Sequence, residues 1–497
     1  MTEATLPVPA TRAFAGELQR VWPEHGRAMP STSLGLAAVA GITGASLVPT
    51  TAPGAGLFAV GVLTAAAALP TARGRIGPHE LAYGALATLL LSSLLLRDAD
   101  WLVSLCLLGT AAAASYALSS GRTIVGTLLA CLSLPLAGLR ALPWIRRGVR
   151  THLPQGADSW APVLRAVMIC VGLLVVFGAL FASADAVFAA MLPSVDLDDL
   201  PARVVVFIFV TGLALSAAFL AAAPPRWDVL APGRGRSVRP VEWIVPIAGL
   251  VALFAVFVVV QVTAFVGGND YVRRTAGLTY AEHARSGFGQ LVAVTLLTLA
   301  VVAAATRWAP RETRAQRQVL RALLGALCVL ALAVVVSALH RLHLYEEAFG
   351  FTRLRLFMNM FEGWLGLVVV LVMLAGVRLR AAWLPGAIVA TAAVALLGLA
   401  AINPDAFVAE HNVTRFEATG KLDTAYLQGL SADAVPAIDR LPEPMRSCAL
   451  DGIRVADDGF AGWNLGRDRA RDILRTRPAL PESTCAQVIL GTTRAGQ

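Results

Sequence analysis

Two polar stretches hold most of the side chains that could do chemistry in an otherwise apolar chain. The first is Leu278-Thr279-Tyr280-Ala281-Glu282-His283-Ala284-Arg285, and the second is His340-Arg341-Leu342-His343-Leu344-Tyr345-Glu346-Glu347, followed by Arg353, Arg355, Asn359 and Glu362. If a helix continues through the second, a turn of about 100° per residue places His340, His343 and Glu347 within about 60° on one face. Two imidazoles and a carboxylate so placed could bind Zn²⁺, which takes nitrogen and carboxylate ligands. The spacing is not HExxH and no fourth ligand follows, so the competing reading is a plain i,i+4 pair of His343 with Glu347 at a membrane interface.

In the first stretch, Thr279 and Glu282 have the spacing of a capping box, in which each side chain satisfies the other's backbone N–H. The functional alternative is that Tyr280, Glu282, His283 and Arg285 line a polar cleft. Charges close to a bilayer are costly, so Asp185, Arg203, Arg353, Arg355 and Glu362 all require partners. Gln261 and Thr263, inside an apolar run, read as helix-to-helix hydrogen bonds or as the lining of a path.

Of the six cysteines, four lie in apolar runs, where a thiol behaves as a small hydrophobe. Cys448 and Cys485 fall in the polar C-terminal part and would pair in an oxidising compartment, closing a loop worth roughly 3 to 4 kcal/mol. The alternative is two free thiols.

Other signals fail on inspection. Thr419-Gly420-Lys421-Leu422 lacks the upstream glycine and following Ser/Thr of a P-loop, and Asn412-Val413-Thr414 matches a glycosylation sequon by a common coincidence. No cofactor is expected. The net charge of +9 comes from arginines clustered between apolar runs rather than on one basic face, which argues against nucleic acid as a partner.

The elements that must position these residues are membrane helices. The chain is 57% hydrophobic and 15% charged, against about 25% charged in soluble domains, so the lipid bilayer is its first partner. Runs long enough to approach the about 20 residues of a span are Gly35 to Val48, Gly54 to Leu69, Leu81 to Leu96, Trp101 to Leu118, Ile124 to Leu142 and Val163 to Ser183. They continue with Val204 to Ala223, Trp243 to Val266, Phe288 to Ala305, Val319 to Leu339, Trp364 to Val377 and Trp383 to Ile402. The fold class expected is all-α, a polytopic bundle of about 11–12 spans with a small soluble helical domain at its C-terminal end. Its boundaries are a polar tail over 1–33, the membrane domain over 34–402 and the soluble domain over 403–497. Asn464 is expected to cap a helix from Leu465, whose alternating charges, Arg467 among them, read as a solvated face.

Arginine-rich loops stay in the cytoplasm. Arg140 to Arg150, Arg226 to Arg239, Arg307 to Arg317 and Arg378 with Arg380 mark inner loops, and the acidic loop with Asp185, Asp196, Asp198 and Asp199 is outer. This puts the C-terminal part outside the cytoplasm. The N-terminal count conflicts at Arg73 and Arg75, which a short early segment that does not cross would resolve.

Several ordered words, Thr279 to Phe288, Gly350-Phe351-Thr352-Arg353-Leu354-Arg355, Asn403-Pro404-Asp405-Ala406, Thr419 to Asp423 and Leu430 to Pro436, resemble the bacterial membrane proteins grouped as domain of unknown function 4153/4173. The resemblance extends from about Asp98 to Asn464. It implies a multi-spanning bacterial membrane protein and supplies no activity. It directs attention to Tyr280, Glu282, Arg285, Tyr345, Arg353, Arg355 and Asp405 as ligand or partner residues. The leading expectation is a non-enzymatic envelope sensor or assembly factor in the plasma membrane, binding a protein partner or small ligand at its outer face. Its rivals are a secondary transporter and a membrane-embedded transferase or hydrolase.

Overall fold

In the computed structural model, residues 19–23, 29–72, 74, 76–152, 199–231, 239–276, 288–378, 381–455 and 459–480 are described, with isolated positions between 162 and 184. No strand occurs among them. The bundle comprises α1 (Ser31–Leu47), α2 (Ala55–Ala66), α3 (Pro78–Leu91), α4 (Asp100–Ser119), α5 (Ile124–Cys131) and α6 (Ser133–His152). It continues through α7 (Leu200–Ala222), α8 (Pro240–Ala276), α9 (Phe288–Trp308), α10 (Arg314–Phe349), α11 (Arg353–Arg378) and α12 (Leu384–Ile402). Short helices follow: α13 (Pro404–Thr419), α14 (Thr424–Gln428), α15 (Val435–Ile438), α16 (Met445–Leu450) and α17 (Leu465–Thr476).

Nine helices among the described residues are long and apolar enough to cross a membrane. A tenth arises if α5 and α6 form one span despite their 67° bend. The sequence reads Ile124 to Leu142 as continuous. The break follows from Pro135, whose missing N–H and ring prevent α5 from running on but suit the first turn of a new helix. With 17 residues, α1 reaches roughly 26 Å at 1.5 Å per residue, short of a hydrocarbon core about 30 Å thick. Most of Val163 to Ser183 lies outside the described residues, as do Asp185, Asp196 and Asp198.

Two groups of helices pack separately. In the first, α7 packs on α1 and α6 while α3 packs on α4; in the second, α10 packs on α8, α9 and α11. The link is α12, which touches α3 and α4 on one side and α11 on the other. Two helices are longer than their hydropathy alone indicates. After a capping box between Thr313 and Gln316, α10 runs on through the His340 to Glu347 stretch. In turn, α11 begins at Arg353 rather than near Trp364, because Arg353, Arg355 and Asn359 find hydrogen-bond partners and the polar turns are sustained.

The apolar core does not stop at the last span. Leu90, Leu102 and Leu399 belong to the same buried cluster as Val408, Val435, Ile438 and Ala470, so the short helices complete the packing of α3, α4 and α12. Asn403, left-handed at φ 58°, turns the chain between α12 and α13. Farther out, the fully buried Arg446 donates from Nε to Asp439 (2.7 Å) and from Nη1 to Glu443 (3.0 Å), closing the α15 to α16 turn.

Candidate functional site

Where α4, α11 and the short helices meet, a chain of buried and half-buried polar side chains joins them. Arg353 opens α11, and its Nε donates to Asp405 Oδ1 at 2.7 Å while Nη2 donates to Oδ2, a bidentate pair. Asp405 is fully buried on the first turn of α13. It also accepts from the Trp101 indole N–H at 3.3 Å and from the Ser431 N–H at 2.8 Å. Tyr426 completes this half, its hydroxyl accepting the Arg353 backbone N–H at 2.7 Å.

The second half lies beside it. The Asp98 N–H donates to Asp433 Oδ2 at 2.7 Å, and the Ala432 N–H donates back to Asp98 Oδ2 at 3.1 Å. Arg467 pairs with Asp98 and donates to Pro53 O at 2.8 Å. Asn464 donates to Leu94 O (2.8 Å) and Arg97 O (2.7 Å), while its Oδ1 caps α17 by accepting from Gly466 N–H at 2.9 Å. Asp433 Oδ1 has no hydrogen-bond partner among the described residues and fills the space that a side chain at Gly466 would need; a Cβ there would stand 2.1 Å from it.

Burial and neighbours set these carboxylates differently. Burial raises Asp405, but the Arg353 guanidinium and the Ser431 donors outweigh it and hold its carboxyl below the ordinary value. For Asp433, burial dominates and the Asp98 charge adds to it, so the group is pushed up to about 6. Burial also raises Asp98, against the opposing pull of Arg467.

Of the residues singled out in the sequence, the structure brings Arg353 to Asp405 and Arg355 to Tyr345. The Arg355 guanidinium carbon lies 4.2 Å from the Tyr345 ring centroid, a cation–π contact. Glu362 is fully buried on α11, and neither of its oxygens has a hydrogen-bond partner among the described residues. His343 and Glu347 form the i,i+4 pair at 3.3 Å, both exposed. Among the described residues no three His, Cys, Asp or Glu side chains converge as a metal set, the His340, His343 and Glu347 group included. Tyr280, Glu282, Arg285 and Cys485 lie outside the described residues. Cys448 is disulfide-bonded.

Arg467 corrects the sequence reading. It is 4% exposed and ion-paired with a carboxylate between two spans, not part of a solvated face. Asp98, Trp101, Tyr426 and Asp433 were not anticipated as members of the site. The available signal was Arg97-Asp98-Ala99, a charged break only three residues long between two spans.

The fold and this junction define a polytopic α-helical membrane protein with a polar seam at one end of its spans. A family model described as Domain of unknown function (DUF4153) matches residues 85–441. The chain belongs to that family. No curated protein and no solved structure matches it.

Proposed function

We propose that this is a non-enzymatic envelope protein of the bacterial plasma membrane, a sensor or assembly factor. In this reading residues 403–497 form an extracytoplasmic helical domain, fixed to the bundle, that presents a surface to a protein partner or small ligand. The observation that carries the reading is the Arg353–Asp405 pair. Both carboxylate oxygens are engaged by donors of the chain itself, leaving nothing for general acid or base work on a substrate. Such a pair joins two parts; removing one partner of a fully buried ion pair costs about 3–5 kcal/mol, and the cost is lower here because the Arg353 side chain is 32% exposed.

The alternation of arginine-rich loops supports the orientation. Tyr280, Glu282, Arg285, Tyr345 and Arg355 would border the partner face, and Cys485 would be the disulfide partner of Cys448 in an oxidising compartment. A secondary transporter is the second reading, favoured by Glu362 buried without a hydrogen-bond partner inside a span and by the Arg341 to Gln261 bond at 2.8 Å within the bundle.

The test compares full-length wild type and Asp405→Asn purified from native membranes, with co-purifying components quantified by mass spectrometry and solute flux measured in proteoliposomes. One component retained by wild type and reduced about tenfold or more in the variant, without flux, supports the reading. Flux that Glu362→Gln abolishes, with nothing retained, replaces it with the transporter.

A further inference from the structure

A groove of about 1570 Å³ opens between α2, α3, α4 and α7. Ordinary small-molecule sites occupy about 300–1,000 Å³, so the space suits a larger occupant. All four helices belong to membrane spans, and the groove follows their length from Leu57 to Ser120 and Arg226. Small side chains such as Gly84 and Ala111 line it, as does Leu108, which is 68% exposed. An apolar trough within the hydrocarbon zone does not hold water stably; an acyl chain fills it at no cost in hydrogen bonds.

One end is different. Arg226 is exposed, and its guanidinium makes no hydrogen bond or ion pair among the described residues, although its backbone N–H is fixed to Val21 O at 2.7 Å. Among the described residues, Glu80 and Asp228 are engaged elsewhere. Glu80 turns back to accept the Gly77 N–H at 2.8 Å, and Asp228 accepts the Thr123 N–H at 3.0 Å and the Arg122 N–H at 3.1 Å. Among the described residues that line the groove only Arg226 and Glu80 are charged, and with Glu80 turned onto the Gly77 N–H, Arg226 is the charge presented to an amphiphile with an anionic head.

We propose that the groove is a binding site for one membrane lipid with an anionic phosphate headgroup, its acyl chain lying along α3 and α4 and its phosphate at Arg226. This site is independent of the junction at Asp405 and of the role proposed for it.

The experiment places the full chain in nanodiscs of phosphatidylglycerol, phosphatidylcholine or a mixture, extracts it with mild detergent and counts retained lipid by native mass spectrometry. Wild type should keep one phosphatidylglycerol in preference to phosphatidylcholine. Arg226→Gln should lower that preference about fivefold while leaving the groove filled, as expected for one interfacial cation. A Cβ at Gly84 meets nothing within 4 Å, so Gly84→Leu should enter the groove and cut retention of both lipids about tenfold. Ala111→Leu is the second filling variant should Gly84→Leu fold poorly. Retention equal in the filling variants and wild type means annular lipid only and overturns the site. An unchanged headgroup preference in Arg226→Gln, or displacement by inorganic phosphate alone, overturns the lipid assignment. A dimer of wild type abolished by Gly84→Leu gives the groove to a second copy of the chain and equally overturns it.

Discussion

Three carboxylates, Asp98, Asp405 and Asp433, share one hydrogen-bonded seam, yet their proton affinities diverge. Asp405 faces a guanidinium squarely, whereas Asp433 is buried against the Asp98 N–H and carboxylate, and the Arg97 charge only partly offsets that burial. The folded value of Asp433, about 6 against an ordinary 3.8, means that the folded state binds this proton more tightly than the unfolded chain does. Its stabilising contribution is complete below the ordinary value and is lost as pH rises through about 6. Asp98 shifts in the same direction, and Asp405, whose value is lowered, stays ionised over this window. We therefore expect the unfolding temperature of the purified protein to fall between pH 5 and pH 7, and Asp433→Asn to flatten that slope. A wild-type profile that climbs with pH, or a variant with the same slope, would contradict the assignment. At this scale the sequence was half legible. Arg353 and Asp405 stood out within recognisable words, but Asp98 and Arg467, 369 positions apart, carry no local pattern that announces their pairing. Arg467 sits among charges of alternating sign, and that pattern describes a solvated helix equally well until Asn464 is seen to anchor its first turn to the carbonyls of Leu94 and Arg97.

The elements show where hydropathy is a sufficient guide and where it is not. Spans such as α7, α8 and α12 were readable because lipid-facing helices are apolar all round. The end of α10 and the start of α11 were not, because polar turns packed against neighbours look like loops in a hydropathy profile. Between these two helices, Gly350 adopts φ 81° and ψ 176°, a region essentially reserved for glycine. Asn412 braces the turn, its Oδ1 accepting the Phe351 N–H at 3.1 Å and its Nδ2 donating to Phe351 O at 3.0 Å. A Cβ on residue 350 would come within 2.6 Å of that Oδ1. Gly350→Ala should thus cost about 1–3 kcal/mol and be read as a lowered thermal midpoint. An unchanged midpoint would show that the turn relaxes freely and that the Asn412 brace contributes little.

For the whole molecule, the family match and the nine candidate spans fix the class, while the side on which the short helices lie rests on arginine placement. A reporter active only outside the cytoplasm, fused after Gln497, should be active; a silent periplasmic reporter with an active cytoplasmic one would invert the topology. The shared core also carries a consequence for biogenesis. Asn464 closes onto Leu94 across 370 positions, and Arg97 onto Ala400 across 303. At a synthesis rate of about 5–20 residues per second, the ends of α3 and α4 wait roughly 20 to 70 seconds for the segment that covers them. Throughout that interval the nascent protein displays an unfinished apolar seam with buried-type carboxylates beside it. Ribosome stalling or premature termination before Asn464 and Arg467 are made would leave inserted but uncapped bundles, ready substrates for membrane proteases and insertion chaperones.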